Sequence, residues 1–111
     1  MIFIEIIQNS GGRTGHKLKD YLTAFCFYFI CNYKIIYNNY FKSPKDKYIN
    51  MFNFYSSDIF VNTPKNPIII KLSLENWKGM NYDKFKEITK RFEDTQRKNV
   101  NKLIIVKLSK A

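Results

Sequence analysis

The sequence predicts an α/β fold with a Rossmann-like, mostly parallel sheet of about four strands and two main helices. Three observations lead to this class of fold: short runs of β-branched residues, two longer segments with helical spacing, and the alternation of the two along the chain. Strands that are apolar on both faces are typical of parallel sheets, whose faces are covered by helices. Because two helices do not cover both faces of about four strands, the domain is expected to be incomplete.

The first strand is predicted over residues 2–8, which are almost all apolar. A helix follows over residues 16–31 and a second strand over residues 34–37, with Asn32 as the stop signal of the helix. One side of this helix carries a set of apolar residues: Leu18, Tyr21, Leu22, Phe25, Cys26 and Phe29. Strand, helix and strand form one right-handed crossover unit. By propensity alone the run 24–30 is also compatible with a strand, and this alternative stays open.

The middle of the chain, residues 38–66, is predicted to be irregular because Asn, Ser and Pro punctuate it repeatedly. Within it, residues 49–55 alternate weakly and are predicted to form a short edge strand or an aromatic loop. A strand over residues 68–72 and a loop over residues 76–80 follow.

The last part of the chain repeats the order of helix and strand. Asn81 is predicted to cap a helix over residues 82–98, and the last strand is predicted over residues 102–108. No internal repeat and no low-complexity linker between domains are evident in the sequence. We therefore expect residues 1–111 to form a single α/β domain.

The composition is strongly basic, with a formal net charge of +10 in 111 residues. Such a charge is typical of nucleic-acid-binding proteins. The lysines are scattered, however, and the chain is rich in Lys, Asn, Ile, Tyr and Phe together, as A/T-rich codons produce. Nucleic acid is therefore not expected as a partner.

The cysteines and the N-terminus bear on the compartment. Cys26 and Cys31 point to different sides of the predicted helix, so they are expected to be buried free thiols in a reducing compartment, and hence cytoplasmic. Met1 leads directly into a strand containing Glu5, which argues against a signal peptide. The longest apolar run, residues 22–31, is about half of the ~20 residues that span a bilayer. We expect no membrane span, no metal site and no cofactor.

Between the first strand and the first helix lies the candidate binding site. Glycines there permit a tight turn and a close approach by a ligand, and the free N–H groups of a helix N-terminus at the carboxyl edge of a sheet suit an anion, usually a phosphate. Asp20 is positioned to reach back to the basic side chains and orient them. The predicted ligand-binding residues are Gly11, Gly12, Arg13, Gly15, His16 and Asp20.

Structural interpretations of the same residues stay open. The glycines are equally compatible with a plain strand-to-helix turn, Arg13 and His16 with solvated side chains, and Asp20 with compensation of the helix dipole. The stretch has neither the glycine spacing of a dinucleotide fingerprint nor the Gly-Lys-Ser/Thr end of a P-loop. No nucleophile–base pair is evident, so no catalytic residue is predicted.

The order Gly-Arg-Thr-Gly-His-Lys over residues 12–17, followed by Asp-Tyr-Leu over residues 20–22, resembles a family motif. It is similar to the Gly-Arg-x-Gly-Asn-Gln stretch of fucosyltransferase-like glycosyltransferases, especially the GDP-fucose protein O-fucosyltransferases. The resemblance covers roughly the first third of the chain. Within it Gly12, Arg13 and Gly15 match, whereas His16 stands where the family usually has Asn.

This resemblance implies a function for the whole chain. That family binds GDP mainly through a His-x-Arg motif in a later domain, and His16 is the only histidine here. The chain would then be the acceptor-side, N-terminal half of a GT-B enzyme, with a nucleotide-sugar or glycan ligand and no activity alone. The alternatives are a noncatalytic phosphate- or nucleotide-binding module and a basic nucleic-acid-associated protein.

An exposed apolar surface is also expected, because Phe25, Phe27, Tyr28 and Phe29 cannot all face one side of a helix. Such a surface would recruit a second domain or another copy of the chain.

Overall fold

The protein is described by a computed structural model that covers residues 1–7, 14–42, 58–73 and 81–109; for residues 14–17 it describes the helix but not the side chains. These residues form an α/β fold with a parallel sheet, as predicted. The strands are β1 (Ile2–Ile6), β2 (Lys34–Ile36), β3 (Phe60–Val61), β4 (Ile68–Ser73) and β5 (Ile104–Ser109). The helices are α1 (Thr14–Cys31), α2 (Asn39–Lys42) and α3 (Tyr82–Lys98).

The five strands are ordered β3-β2-β1-β5-β4, and every neighbouring pair is parallel. The central strand β1 aligns Phe3 with Lys34 of β2 on one side and with Ile105 of β5 on the other. The crossovers β1-α1-β2 and β4-α3-β5 run in the same direction across the sheet. Because parallel crossovers are right-handed, α1 and α3 lie on the same face. The order is compatible with a Rossmann-like arrangement.

Packing confirms that the helices share one face of the sheet. Phe27 of α1 is fully buried, and its ring centroid lies 5.1 Å from that of Phe85 and 6.1 Å from that of Phe92, both on α3. All three helices contribute to one core cluster with the alternate, inward-facing residues of the strands, including Ile4 and Val106. Helical packing on this face therefore supplies most of the described apolar core.

The opposite face of the sheet is apolar over part of its length and charged nearer the carboxyl edge. Phe3, Ile36 and Ile105 are buried together there. Nearer the carboxyl edge, the same face carries charged residues in adjacent strands, of which Glu5 and Lys107 are aligned partners. The expectation of helices on both faces is not met by the described helices.

Helix α1 settles the ambiguity of the aromatic run in favour of a helix, which begins two residues earlier than predicted. It ends where predicted: Asn32 has a positive φ of 60°, and its N–H donates to the carbonyl of Tyr28 at 2.8 Å. This arrangement is the αL cap that Asn tolerates better than most residues. Phe29, in contrast to Phe27, is exposed, as the crowding of aromatics on one helix predicts.

Helix α3 has the predicted bounds. The side chain of Asn81 accepts the N–H of Lys84 at 2.9 Å, which confirms the predicted N-cap. Phe85 and Phe92, seven residues apart, form the buried side of α3. The flanking strands are shifted slightly, since β4 extends to Ser73 and β5 begins at Ile104.

Three predictions need correction. The region 38–66 was predicted to be irregular, yet α2 and β3 lie in it; elements of four and two residues have no periodic pattern to reveal them. The predicted strand or loop at 49–55 and the loop at 76–80 lie outside the described residues. Cys26 is exposed rather than buried, because α1 turns that side away from the sheet, while Cys31 is half-buried; both thiols are free.

The third correction concerns repeats. Strands β4 and β5 have the sequences Ile-Ile-Ile-Lys-Leu-Ser and Ile-Ile-Val-Lys-Leu-Ser, which differ only at Ile70 and Val106. The two strands pair in register over all six residues. The chain therefore contains a short repeat that the sequence analysis missed.

No helix in the described part of the chain is long and apolar enough to cross a bilayer.

Candidate functional site

A depression of about 350 Å³ lies at the carboxyl edge of the sheet, over the ends of β1, β2 and β5. Its described lining residues are Glu5, Ile6, Ile7, Asn38, Asn39, Tyr40 and Lys107. Ligands of open α/β sheets bind at this edge, in the crevice where neighbouring strands are connected in opposite directions. The described crossovers run in one direction across the sheet, so the depression shares the carboxyl edge with such sites but does not lie at a described point of that kind.

Asn38 lines the depression and connects the end of β1 to α2. Its side-chain amide donates to the carbonyl of Ile6 at 2.9 Å, and its Oδ1 accepts the N–H of Tyr40 at 3.1 Å. Its backbone carbonyl accepts the N–H groups of Phe41 and Lys42, at 3.0 Å each. One residue therefore begins α2 as its N-cap and ties it to the end of β1.

Asp20 is the predicted site residue that the structure connects to the depression. The hydroxyl of Tyr40 donates to Oδ2 of Asp20 at 3.1 Å, and the hydroxyl of Tyr21 donates to the carbonyl of Tyr40 at 2.8 Å. Burial raises the pKa of Tyr40 well above its usual range, and the Asp20 carboxylate raises it further. Tyr40 is therefore a neutral donor that fixes Asp20 against the wall of the depression.

The other predicted site residues are only partly described. Gly15 and His16 lie in the first turn of α1, and the six residues 8–13 lead to this turn from the end of β1. Gly11, Gly12 and Arg13 lie outside the described residues. The proposed role of Asp20 toward Arg13 or His16 therefore stays a prediction, and the partner that Asp20 has in the structure is Tyr40.

Two lysines at this edge were not among the predicted site residues. Nζ of Lys107 lies 3.5 Å from Oε1 of Glu5, across the β1–β5 pair. Lys71 of β4 is the aligned partner of Lys107 and is exposed. Aligned residues of neighbouring strands are about 5 Å apart at the backbone, so Lys71 and Lys107 lie side by side on one face of the sheet. The signal was present in the sequence: a lysine recurs at the same place in two otherwise apolar strands.

The end of the repeated strands adds hydroxyl groups. Ser73 and Ser109 are aligned partners at the last position of β4 and β5, on the same face as the two lysines. The described lining of the depression offers the ammonium group of Lys107, which is paired with Glu5, and the side-chain amide of Asn39. Within the described ranges, no three His, Cys, Asp or Glu side chains are grouped as metal ligands would be.

Comparisons of this chain with models of protein families, with curated proteins and with solved structures find no match. The resemblance to fucosyltransferase-like enzymes therefore rests on the short motif in the sequence.

Proposed function

We propose that this chain is a binding module for a phosphate-bearing ligand, such as a nucleotide or nucleotide sugar, at the carboxyl edge of β1. The observation that carries the proposal is the depression beside β1, which contains Lys107 and lies at the edge where α1 begins. Lys107 is paired with Glu5, and the neighbouring, exposed Lys71 leaves this edge with an excess of positive charge. Such charge beside a helix N-terminus suits a phosphate better than a neutral ligand.

Each part of the site has a distinct role in this proposal. Lys107 and Lys71 attract the anionic group, and the first turn of α1 donates its N–H groups to it. Asn38 and Tyr40 do not contact the phosphate; they hold the wall of the depression in place through Ile6 and Asp20. The described lining residues include no nucleophile–base pair, so the proposed function is binding without catalysis.

A more specific candidate follows from the resemblance to the fucosyltransferase-like glycosyltransferases. The order of β1 and α1 agrees with the strand and the helix that flank the motif in this resemblance. In this version the chain is the acceptor-side part of such an enzyme, it binds a nucleotide sugar or glycan, and it transfers no fucose alone.

The test is titration calorimetry with pyrophosphate, GDP and GDP-fucose. We expect Lys107→Gln to weaken binding of all three by about tenfold or more, the usual effect of losing a charge-assisted contact. Lys90→Gln is the matched control, because Lys90 is an exposed lysine of α3. Thermal unfolding of both variants checks that loss of the Glu5 pair has not unfolded the domain.

The outcomes separate the two versions of the proposal. Tighter binding of GDP-fucose than of GDP supports the glycosyltransferase-like version, whereas equal binding of pyrophosphate and both nucleotides supports the simpler phosphate module. Absence of binding to all three, or equal affinity of Lys107→Gln and Lys90→Gln, rejects the site.

A further inference from the structure

Three charged side chains lie in a row across β1, β5 and β4. Glu5 is aligned with Lys107, and Lys107 is aligned with Lys71, so all three project from the same face of the sheet. Glu5 is the one acidic residue in the five described strands. Its negative charge lies at the edge where we propose that an anion binds, and it opposes that ligand.

The carboxylate of Glu5 contacts the ammonium group of Lys107. Oε1 of Glu5 lies 3.5 Å from Nζ of Lys107, which is longer than a strong charge-assisted hydrogen bond of about 2.7–2.9 Å. The side chains of Lys107 and Glu5 are 29% and 15% exposed, so salt screens this pair less than a pair on an open surface. Both residues line the depression. A ligand that enters it therefore meets Lys107 with a carboxylate already beside it.

We propose that Glu5 is an internal competitor for Lys107, and that this competition sets how tightly the depression binds an anion. The inference rests on the proposed function, because it concerns the same site. An ammonium group has donors only, so an anionic oxygen of the ligand and the carboxylate of Glu5 compete for the same partner. Binding requires the carboxylate to leave Lys107 or to share it with a second negative charge, and either change lowers the affinity.

A purely structural role for the pair predicts something different. Oppositely charged residues that face each other on neighbouring strands stabilise the pairing of those strands. If Glu5 acts only in this way, its substitution changes the stability of the fold and leaves the anion affinity of the folded protein as it is. Anion affinity is therefore the measurement that separates the two roles.

The first experiment is titration calorimetry of the full chain with pyrophosphate at neutral pH and constant ionic strength. Glu5→Gln keeps the shape of the side chain and removes its charge. We expect this variant to bind pyrophosphate about tenfold more tightly than the wild type, because a nearby and weakly screened negative charge is gone. Glu87→Gln is the matched control, since Glu87 is an exposed residue of α3 and its substitution changes the net charge equally. This control should bind as the wild type does.

A double-mutant cycle with Lys107 tests whether the two residues act together. In a Lys107→Gln background the contested ammonium group is absent, so Glu5→Gln should improve the affinity much less than it does in the wild type. Repulsion of the ligand by Glu5 without competition would give the same improvement in both backgrounds. Phosphorus NMR of pyrophosphate extends the measurement to weak affinities, and thermal unfolding verifies that each variant is folded at the temperature of the titration.

The outcomes separate this inference from the proposed function. Binding that depends on Lys107 and that Glu5→Gln leaves unchanged keeps the phosphate site and rejects the competition. An equal improvement in both backgrounds of the cycle, or an equal improvement by Glu87→Gln, rejects the competition as well. No binding of pyrophosphate by the wild type or by Glu5→Gln rejects the proposed function, and the inference with it. Binding by Glu5→Gln when the wild type binds too weakly to detect supports both.

Discussion

The arrangement of α2 on the end of β1 depends on Asn38, and replacing that residue tests it. Asn38→Ala removes the amide donor to the carbonyl of Ile6 and the Oδ1 acceptor of the Tyr40 N–H. Loss of an N-cap costs about 0.5–2 kcal/mol of stability. Loss of the hydrogen bond to a partly buried carbonyl costs about 0.5–1.5 kcal/mol.

Together these terms predict that Asn38→Ala lowers the free energy of unfolding by about 1–3.5 kcal/mol. A domain of this size loses ~4–8 °C in Tm for each kcal/mol, so thermal unfolding by circular dichroism resolves the effect. Asn39→Ala is the control, because Asn39 is adjacent and exposed and lines the same depression. If the two variants unfold at the same temperature, Asn38 does not hold α2 to β1. The inference that Asn38 fixes the lining of the depression is then wrong.

Three further predictions follow from the core and the titratable groups. Phe27→Ala should lower stability by about 3–5 kcal/mol in urea unfolding, because Phe27 is fully buried between α1 and α3; a loss below ~1 kcal/mol would contradict that packing. Cys26 should react with a disulfide reagent at pH 8 much faster than Cys31, and equal rates would contradict this prediction. The reason is that burial, and after it the charge of Glu93, raises the pKa of the Cys31 thiol to about 11. Tyr40 has a raised pKa in the fold, so its contribution to stability is complete below about pH 10 and is lost above it; Tyr40→Phe should make the urea midpoint less sensitive to alkaline pH, and an unchanged alkaline loss would reject this contribution.

The sequence predicted elements whose signals are local. Helix α3 has a period, a cap at Asn81 and a buried pair seven residues apart, and all of these are legible without tertiary structure. The end of α1 at Asn32 was predictable for the same reason. Strand β3 was not, because two residues such as Phe60 and Val61 become a strand only by pairing with β2, which lies more than twenty residues away.

The sequence also did not indicate which side of α1 faces the sheet. When a helix is apolar almost all round, the pattern does not say which side is covered, and so Cys26 was predicted on the wrong side. The candidate site likewise combines a residue with a local signal in the sequence and residues that only the tertiary structure brings together. Asp20 was found because it stands near a helix start, but its partner Tyr40 is twenty residues away. Lys71 and Lys107 come together only because β4 and β5 are neighbours in register.

The near-identity of β4 and β5 has a consequence for association between molecules. Strand β4 is the last strand of the described sheet, and it already pairs in register with a strand of almost the same sequence. The corresponding segment of another chain could add to that edge in the same way, as identical segments do when they stack into fibrils. Each added strand would, however, place one more ammonium group beside Lys71 and Lys107, about 5 Å from the last. The lysine to which we assign a bound anion in one molecule thereby opposes the growth of a sheet from many.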